Sequence, residues 1–146
     1  MQIIVFNVNE KYFGVSTENI EEIIRKISST NVPKAPYGVE GLTNLRGEVI
    51  TLLSLSKLLH LGEGMCYNNV IIIKYNDYKI GILINEILKV IEIEKDEIEH
   101  LSADNKKGIL QLEDIIVNII DIGELLVENE GLNWNKFYHR KKLMLY

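Results

Sequence analysis

Little in this sequence supports covalent, redox or metal chemistry. Its single cysteine, Cys66, sits in a Gly-rich stretch and can form neither an internal disulfide nor half of a thiolate metal site, which fits a reducing compartment. The three histidines, His60, His100 and His139, are far apart, and no His pair, Gly-rich phosphate loop or nucleophile elbow is present. Asp77, Asp96, Asp114 and Asp121 are scattered without the repeated spacing of a calcium loop or a glycosidase carboxylate pair. These absences argue against an enzyme, and no cofactor or metal is expected. Positive charge is also short: 16 Lys and Arg against 21 Asp and Glu leave a net charge of −5, so the chain as a whole repels phosphate backbones and nucleic acid is not an expected partner. No uninterrupted apolar run reaches membrane-spanning length. Residues 3 to 8 alternate from the outset, unlike a signal peptide, so direct membrane insertion is not expected and a cytoplasmic protein is.

What the chain does have is apolar residues, 47% of 146, enough for a core that removes roughly two thirds of the unfolded surface from water. It also repeats itself. Laying Gly14 on Gly81 and keeping that offset without a gap places Ile4, Asn9, Ile20, Ile24, Gly41, Leu45, Leu58 and Leu59 on Ile71, Asn76, Ile87, Ile91, Gly108, Leu112, Leu125 and Leu126. Two matched glycines in one register mark a duplication. Each copy opens with an apolar strand, a tight polar turn (Asn9-Glu10, Asn76-Asp77) and a second strand carrying the shared glycine, the pattern of a β-hairpin. Gly within a strand permits the bend or bulge a small barrel needs.

After each hairpin the spacing of Ile20, Ile23 and Ile24, and of Ile87, Val90 and Ile91, predicts a short helix. Ser16 or Thr17 would cap the first, with Glu18, Glu21 and Glu22 near its N-terminus. Strand-rich stretches then run to the paired leucines. The expected architecture is all-β with short helices: a first barrel over 1–62, a second over 63–127, packed together around a groove, and a tail over 128–146. His60 to Asn69, containing Gly62 and Gly64, forms the junction.

Three motifs in order carry a family resemblance: Phe13-Gly14-Val15, then Ile20-Glu21-Glu22-Ile23, then Gly41-Leu-Thr-Asn44-Leu45-Arg46-Gly47 followed by an apolar strand. Gly81-Ile82, Ile87 to Ile91 and the closing strand from Val117 to Leu126 extend it. The sequence resembles the CheW family of chemotaxis coupling proteins, and the resemblance implies two tandem SH3-like five-stranded β-barrels related by internal duplication. It also implies a non-catalytic adaptor that links the cytoplasmic tip of methyl-accepting chemotaxis receptors to the regulatory domain of the histidine kinase CheA. Such an adaptor is recruited to receptor arrays at the inner face of the membrane. Thr51 and Ser54-Leu55-Ser56 stand where the family often has Pro and Asp-Leu-Arg, which predicts an altered partner surface. Asn85 replaces a usual Asp, and the loop from Ser102 to Lys107 is short.

Carried over by position, Ile20, Glu22, Gly41 and Arg46 match receptor-coupling positions, with Asn44 and Gly47 shaping the turn that presents Arg46. An exposed guanidinium can grip a carboxylate or backbone carbonyls. Plainer readings compete: Arg46 paired to Glu22 or Glu113, Ile20 as core, Gly41 and Gly47 as backbone geometry. The counterparts of Arg46 and Gly47 in the second copy are Glu113 and Asp114, so the copies differ in charge there. A different adaptor class, a tandem barrel binding peptides by strand addition, is the alternative function. The tail carries Trp134, Phe137 and Tyr138 beside Lys136, Arg140, Lys141 and Lys142. It is expected to form a helix whose aromatic face covers barrel surface, and its four cations alone bind anionic lipid only marginally.

Overall fold

The computed structural model describes residues 1–62, 67–75, 77–100 and 108–128. The tail segment expected to be helical, the Ser102 to Lys107 loop and Cys66 lie outside them. Strands β1 (Gln2–Val8) and β2 (Lys11–Ser16) pair from Ile3↔Ser16 to Val8↔Lys11, leaving Asn9 and Glu10 as the whole turn. Both turn residues have positive φ, 49° and 66°, the twist-matched conformation of a two-residue hairpin. In the second copy β6 (Asn69–Tyr75) and β7 (Tyr78–Ile84) repeat this hairpin.

The segments predicted as helices are strands, β3 (Ile20–Arg25) and β8 (Glu86–Glu92). A β-bulge explains the misleading period: the pairing of β3 with β6 slips between Ile20 and Glu22, and the extra residue places Ile20 and Ile23 against one apolar cluster. Spacing of three on one face thus arises without a helix. Ser16 does cap a turn, but a single 3-10 turn at Thr17–Asn19, where its hydroxyl accepts from the Glu18 N–H. The remaining elements are β4 (Val39–Leu45), β5 (Glu48–Ser54), α1 (Leu55–Leu58), a second 3-10 turn (Lys95–Glu97), β9 (Glu99–His100), β10 (Gly108–Leu112), β11 (Ile115–Ile119) and α2 (Ile122–Glu128).

One sheet runs β8-β1-β2-β11-β10-β9 and the other β3-β6-β7-β5-β4. Each therefore takes a hairpin from one copy and its remaining strands from the other. The halves 1–62 and 63–127 do not close separate barrels, and the reason is the length of the links. A single residue, Asn85, joins β7 to β8. Within its own half, β8 would pair with β6 so that Glu86 faced Lys74, while Ile84 lies opposite Asn69 at the far end of β6. That is about five residues of strand, roughly 16 Å, for a link of about 7 Å. Thr17–Asn19 likewise falls short of the dozen residues a crossover between parallel strands needs. The hairpins must exchange.

The exchange preserves register throughout. Ile20↔Ile73, Glu22↔Ile72 and Ile24↔Val70 in one sheet become Ile87↔Phe6, Lys89↔Val5 and Ile91↔Ile3 in the other, with the bulge at the same place. The parallel pairs Leu52↔Gly81 and Ile119↔Gly14 also correspond. Chain beyond each edge strand then brings the sheet edges together: Thr30 bridges to Leu42, and β9 pairs with β10.

Each barrel has a core of its own, built on Ile3, Val5, Leu110 and Val117 in one and Ile50, Leu52, Val70, Ile72 and Leu83 in the other. The intervening positions Ile4, Phe6, Val8, Ile71, Ile73, Ile80 and Ile82, with Leu58, Leu125 and Leu126 from the helices, form the largest cluster, shared by both sheets. Burial on both faces accounts for apolar runs where a half-exposed strand would alternate. Gly14 and Gly81 make this packing possible. Neither has positive φ; a Cβ on Gly14 would meet Ile119 Cδ1 and Ile3 Cγ2 at 2.9 Å, and one on Gly81 would meet Leu52 Cδ2 at 2.7 Å and Val70 Cγ1 at 2.8 Å. They allow close approach, while the bulges lie elsewhere. Gly81→Ala is expected to cost about 1–3 kcal/mol of unfolding free energy by overpacking, read as a lower urea midpoint at unchanged slope.

Candidate functional site

The barrel formed by β3-β6-β7-β5-β4, called the second from here on and the β8-β1-β2-β11-β10-β9 barrel the first, places the Asn44-Leu45-Arg46-Gly47 motif at the tip of the β4–β5 hairpin. Leu45 pairs with Glu48, so Arg46 and Gly47 form the complete two-residue turn, with φ of 51° and 86°. Gly47 is needed for this backbone and not for space, since a Cβ there would meet nothing within 4 Å. Asn44 Oδ1 accepts from the Gly47 N–H at 2.9 Å and fixes the turn. The family motif is turn chemistry that holds an arginine outward: the Arg46 side chain is 66% exposed.

Arg46 Nη2 bonds to Oε1 of Glu22, whose side chain is 32% exposed. The pairing reading thus holds for Glu22 and not for Glu113. Since β3 and β4 are opposite edges of their sheet, this bond spans the seam that closes the barrel. Thr43 Oγ1 donates to the Ser28 carbonyl at 2.9 Å along the same seam. Gly41 lies at the seam's other end, buried, where a Cβ would be 2.6 Å from the Thr30 carbonyl oxygen. It touches no open surface and acts through the position of residues 28–30. Ile20 is half-buried and packs on the shared core, yet it also lines a cavity of about 290 Å³ between the barrels, with Ile3, Val15, Ile73, Ile119 and Ile122. Glu18, Asp121 and Glu124 line it too, with Lys74, so the groove is apolar within and carries three acids against one lysine. Structure therefore unites Glu22, Asn44, Arg46 and Gly47 at one tip, sets Ile20 in the neighbouring groove, and leaves Gly41 inside.

Ser54 and Ser56, expected on a partner surface, are buried at 0% and 1% exposure. Ser54 caps α1 by accepting from the Lys57 N–H and shares a 2.6 Å bond with the Tyr67 hydroxyl. Burial pushes that phenol's pKa up, opposed by the Ser54 bond. Ser56 Oγ accepts from Asn9 Nδ2 and donates to the Gly62 carbonyl. Asn85 Oδ1 accepts from the Asn9 N–H at 2.9 Å. These departures serve the junction between the exchanged hairpins and not a surface.

A second charge network beside the tip escaped the sequence reading. Lys79 Nζ lies 3.1 Å from both Glu21 Oε2 and Glu48 Oε2. Lys79 belongs to the second copy and both acids to the first, so no linear motif reveals it. Hydrogen bonds donated by Lys79 to Glu21 first and Glu48 second raise its pKa above the ordinary 10.5. A lysine held more tightly in its protonated form when folded stabilises below the unfolded pKa and loses that contribution as pH rises through the folded one. The difference in urea midpoint between the native chain and Lys79→Met is therefore expected to be constant from pH 7 to 10, to vanish above the folded pKa, and to shrink as salt is raised.

The CheW-like domain family model matches residues 2–130. The chain is 31% identical over 134 residues to the chemotaxis protein CheW of Bacillus subtilis, covering 86% of each. It is 26% identical over 133 residues to the chemotaxis protein CheW of Thermotoga maritima, covering 87% of this chain and 88% of that one. Among solved structures, the scaffolding protein TtCheW from Thermoanaerobacter tengcongensis superposes with a TM-score of 0.76 at 26% identity, covering 85% of this chain and 86% of that one. With motif, duplicated fold and family match extending over the same residues, the chain belongs to the CheW-like domain family.

Proposed function

We propose that this protein is a non-catalytic coupling adaptor of chemotaxis, holding chemoreceptors and the kinase CheA in one signalling assembly. The observation that carries this reading is the family match over residues 2–130 combined with an exposed Arg46 on a rigid turn. The receptor tip takes the inter-barrel groove lined by Ile20 together with the Arg46–Glu22 edge, and the kinase regulatory domain takes the end of a barrel, so that both bind at once. This assembly lies at the inner face of the membrane. An adaptor of this kind needs a surface read by shape and charge and no reacting group. Its individual contacts can be weak, because an array multiplies them. Strand addition of peptides draws no support from the family match.

The test is recovery of partners from native cytoplasm on immobilised protein, identified by mass spectrometry. Wild type is expected to retain receptors and a CheA-type kinase. Arg46→Glu sets a carboxylate beside Glu22 and should lose most receptor recovery while keeping kinase, at a stability cost of about 1 kcal/mol or less for an exposed pair. The exchanged pair Glu22→Arg with Arg46→Glu separates two roles. Continued loss of receptor means Arg46 itself is read, whereas recovery means that the pair acts by closing the barrel seam. Absence of both partners from wild type overturns the adaptor reading.

A further inference from the structure

Charged side chains ring the end of the second barrel that carries the Arg46-Gly47 turn. Lys79 stands on β7 and reaches across β6 to Glu21 of β3, and sideways to Glu48 of β5, each at 3.1 Å. Arg46 crosses the seam from the β4–β5 turn to Glu22 of β3. Glu21 is the residue skipped by the bulge and adjoins Glu22, while Glu48 pairs with Leu45 at the base of the turn that holds Arg46. Both strands that meet at the Arg46–Glu22 pair are therefore also joined through one ammonium. A lysine suits that place, since its compact head has three donors and can serve two carboxylates. The Lys79 and Glu21 side chains are only 34% and 35% exposed, so their bond is less screened than one on the open surface.

The first barrel has the same end without the lysine. At matched register Tyr12, Leu88 and Ile115 stand in place of Lys79, Glu21 and Glu48. Tyr12 and Ile115 pack on that barrel's core, and Leu88 is 42% exposed. Opposite charges again flank the seam, as Lys89 and Glu113, yet among the described residues they form no ion pair. The pair is present where the ionic bridge is present and missing where apolar side chains replace it. We infer that Lys79 is a positioning residue for Arg46: by clamping Glu21 to Glu48 it holds β3 and the β4–β5 hairpin at the spacing that lets Glu22 receive the guanidinium. The clamp is a property of the free protein, and only its consequence, the presentation of Arg46 to a receptor, rests on the coupling role.

Side-chain NMR of the Arg46 guanidinium in the intact chain, its signal assigned by loss in Arg46→Lys, tests the clamp without a partner. Glu22→Gln should shift that signal in the native protein. In Lys79→Met the signal should already lie near its Glu22→Gln position and respond little to the second change, whereas Lys79→Arg keeps the clamp and should stay native. Grafting the first barrel's trio, Lys79→Tyr with Glu21→Leu and Glu48→Ile, should also uncouple Arg46 from Glu22. These side chains are already accommodated at the same register in the other barrel, and a native amide spectrum confirms that each variant is folded. Receptor recovery should fall about two- to fivefold in Lys79→Met and in the graft, the range an exposed ion pair allows, with kinase recovery unchanged. An Arg46 signal that keeps its response to Glu22→Gln in Lys79→Met or in the graft overturns the inference. Receptor recovery that falls in Lys79→Met while Arg46 stays coupled to Glu22 overturns it in favour of direct contact between Lys79 and the receptor. Failure of the native protein to recover receptor overturns the coupling reading alone, and the NMR response still decides the clamp.

Discussion

A single residue between β7 and β8 governs this molecule. Asn85 cannot carry the chain back across β6 to the start of a neighbouring strand, so β8 must join another sheet, and the sheet within reach is the one built on β1. The three-residue turn between β2 and β3 imposes the same step on the first copy. Two short links thus convert a tandem repeat into two barrels that each borrow a hairpin. Asn85 also holds the crossing in place: its Oδ1 takes the Asn9 N–H, its own N–H reaches the Asn7 carbonyl, and Asn7 Oδ1 takes the Glu86 N–H. The usual Asp would add a charge at a contact made by backbone donors, and the amide does this work without one.

Because the hairpins are exchanged, neither barrel can unfold alone without exposing strands of the other, and the shared cluster becomes the largest in the protein. Phe6 and Phe13, paired across the first hairpin, stack with ring centres 6.1 Å apart within it. The three-residue link crosses between the barrels at the groove that holds Ile20, so strands of both barrels line it. For an adaptor that geometry matters: orienting two partners requires that the surfaces they occupy stay in register.

Much of this is written in the sequence, though not always in the form first read. The turns at Asn9-Glu10 and Arg46-Gly47, the paired leucines and the repeat offset were legible because they rest on local chemistry or on simple identity. Ile20 and Ile23 misled because a bulge adds one residue to a period of two, producing on a strand the spacing of a helix face. Ser54 and Ser56 misled because position in a family pattern says nothing about burial. The exchange itself was available in principle: once the segment after each hairpin is recognised as a strand, its distance from the preceding strand excludes pairing within the same half. Lys79 between Glu21 and Glu48 could not be found that way, since it depends on the exchange having been made.

Identical register also gives meaning to the differences between the copies. Glu22 and Arg46 pair across the seam of the second barrel, and the same two positions in the first hold Lys89 and Glu113, the same charges in opposite order. A seam closed by electrostatics would tolerate either order, yet among the described residues Lys89 and Glu113 do not form the pair. The first barrel closes without it, through β9 laid on β10, so the ion pair is dispensable for closing a barrel of this design. Where the pair does form, it fixes the direction of a mostly exposed guanidinium at the end of a rigid turn. Closing the seam does not by itself account for the pair, whose other effect is to hold the Arg46 side chain outward.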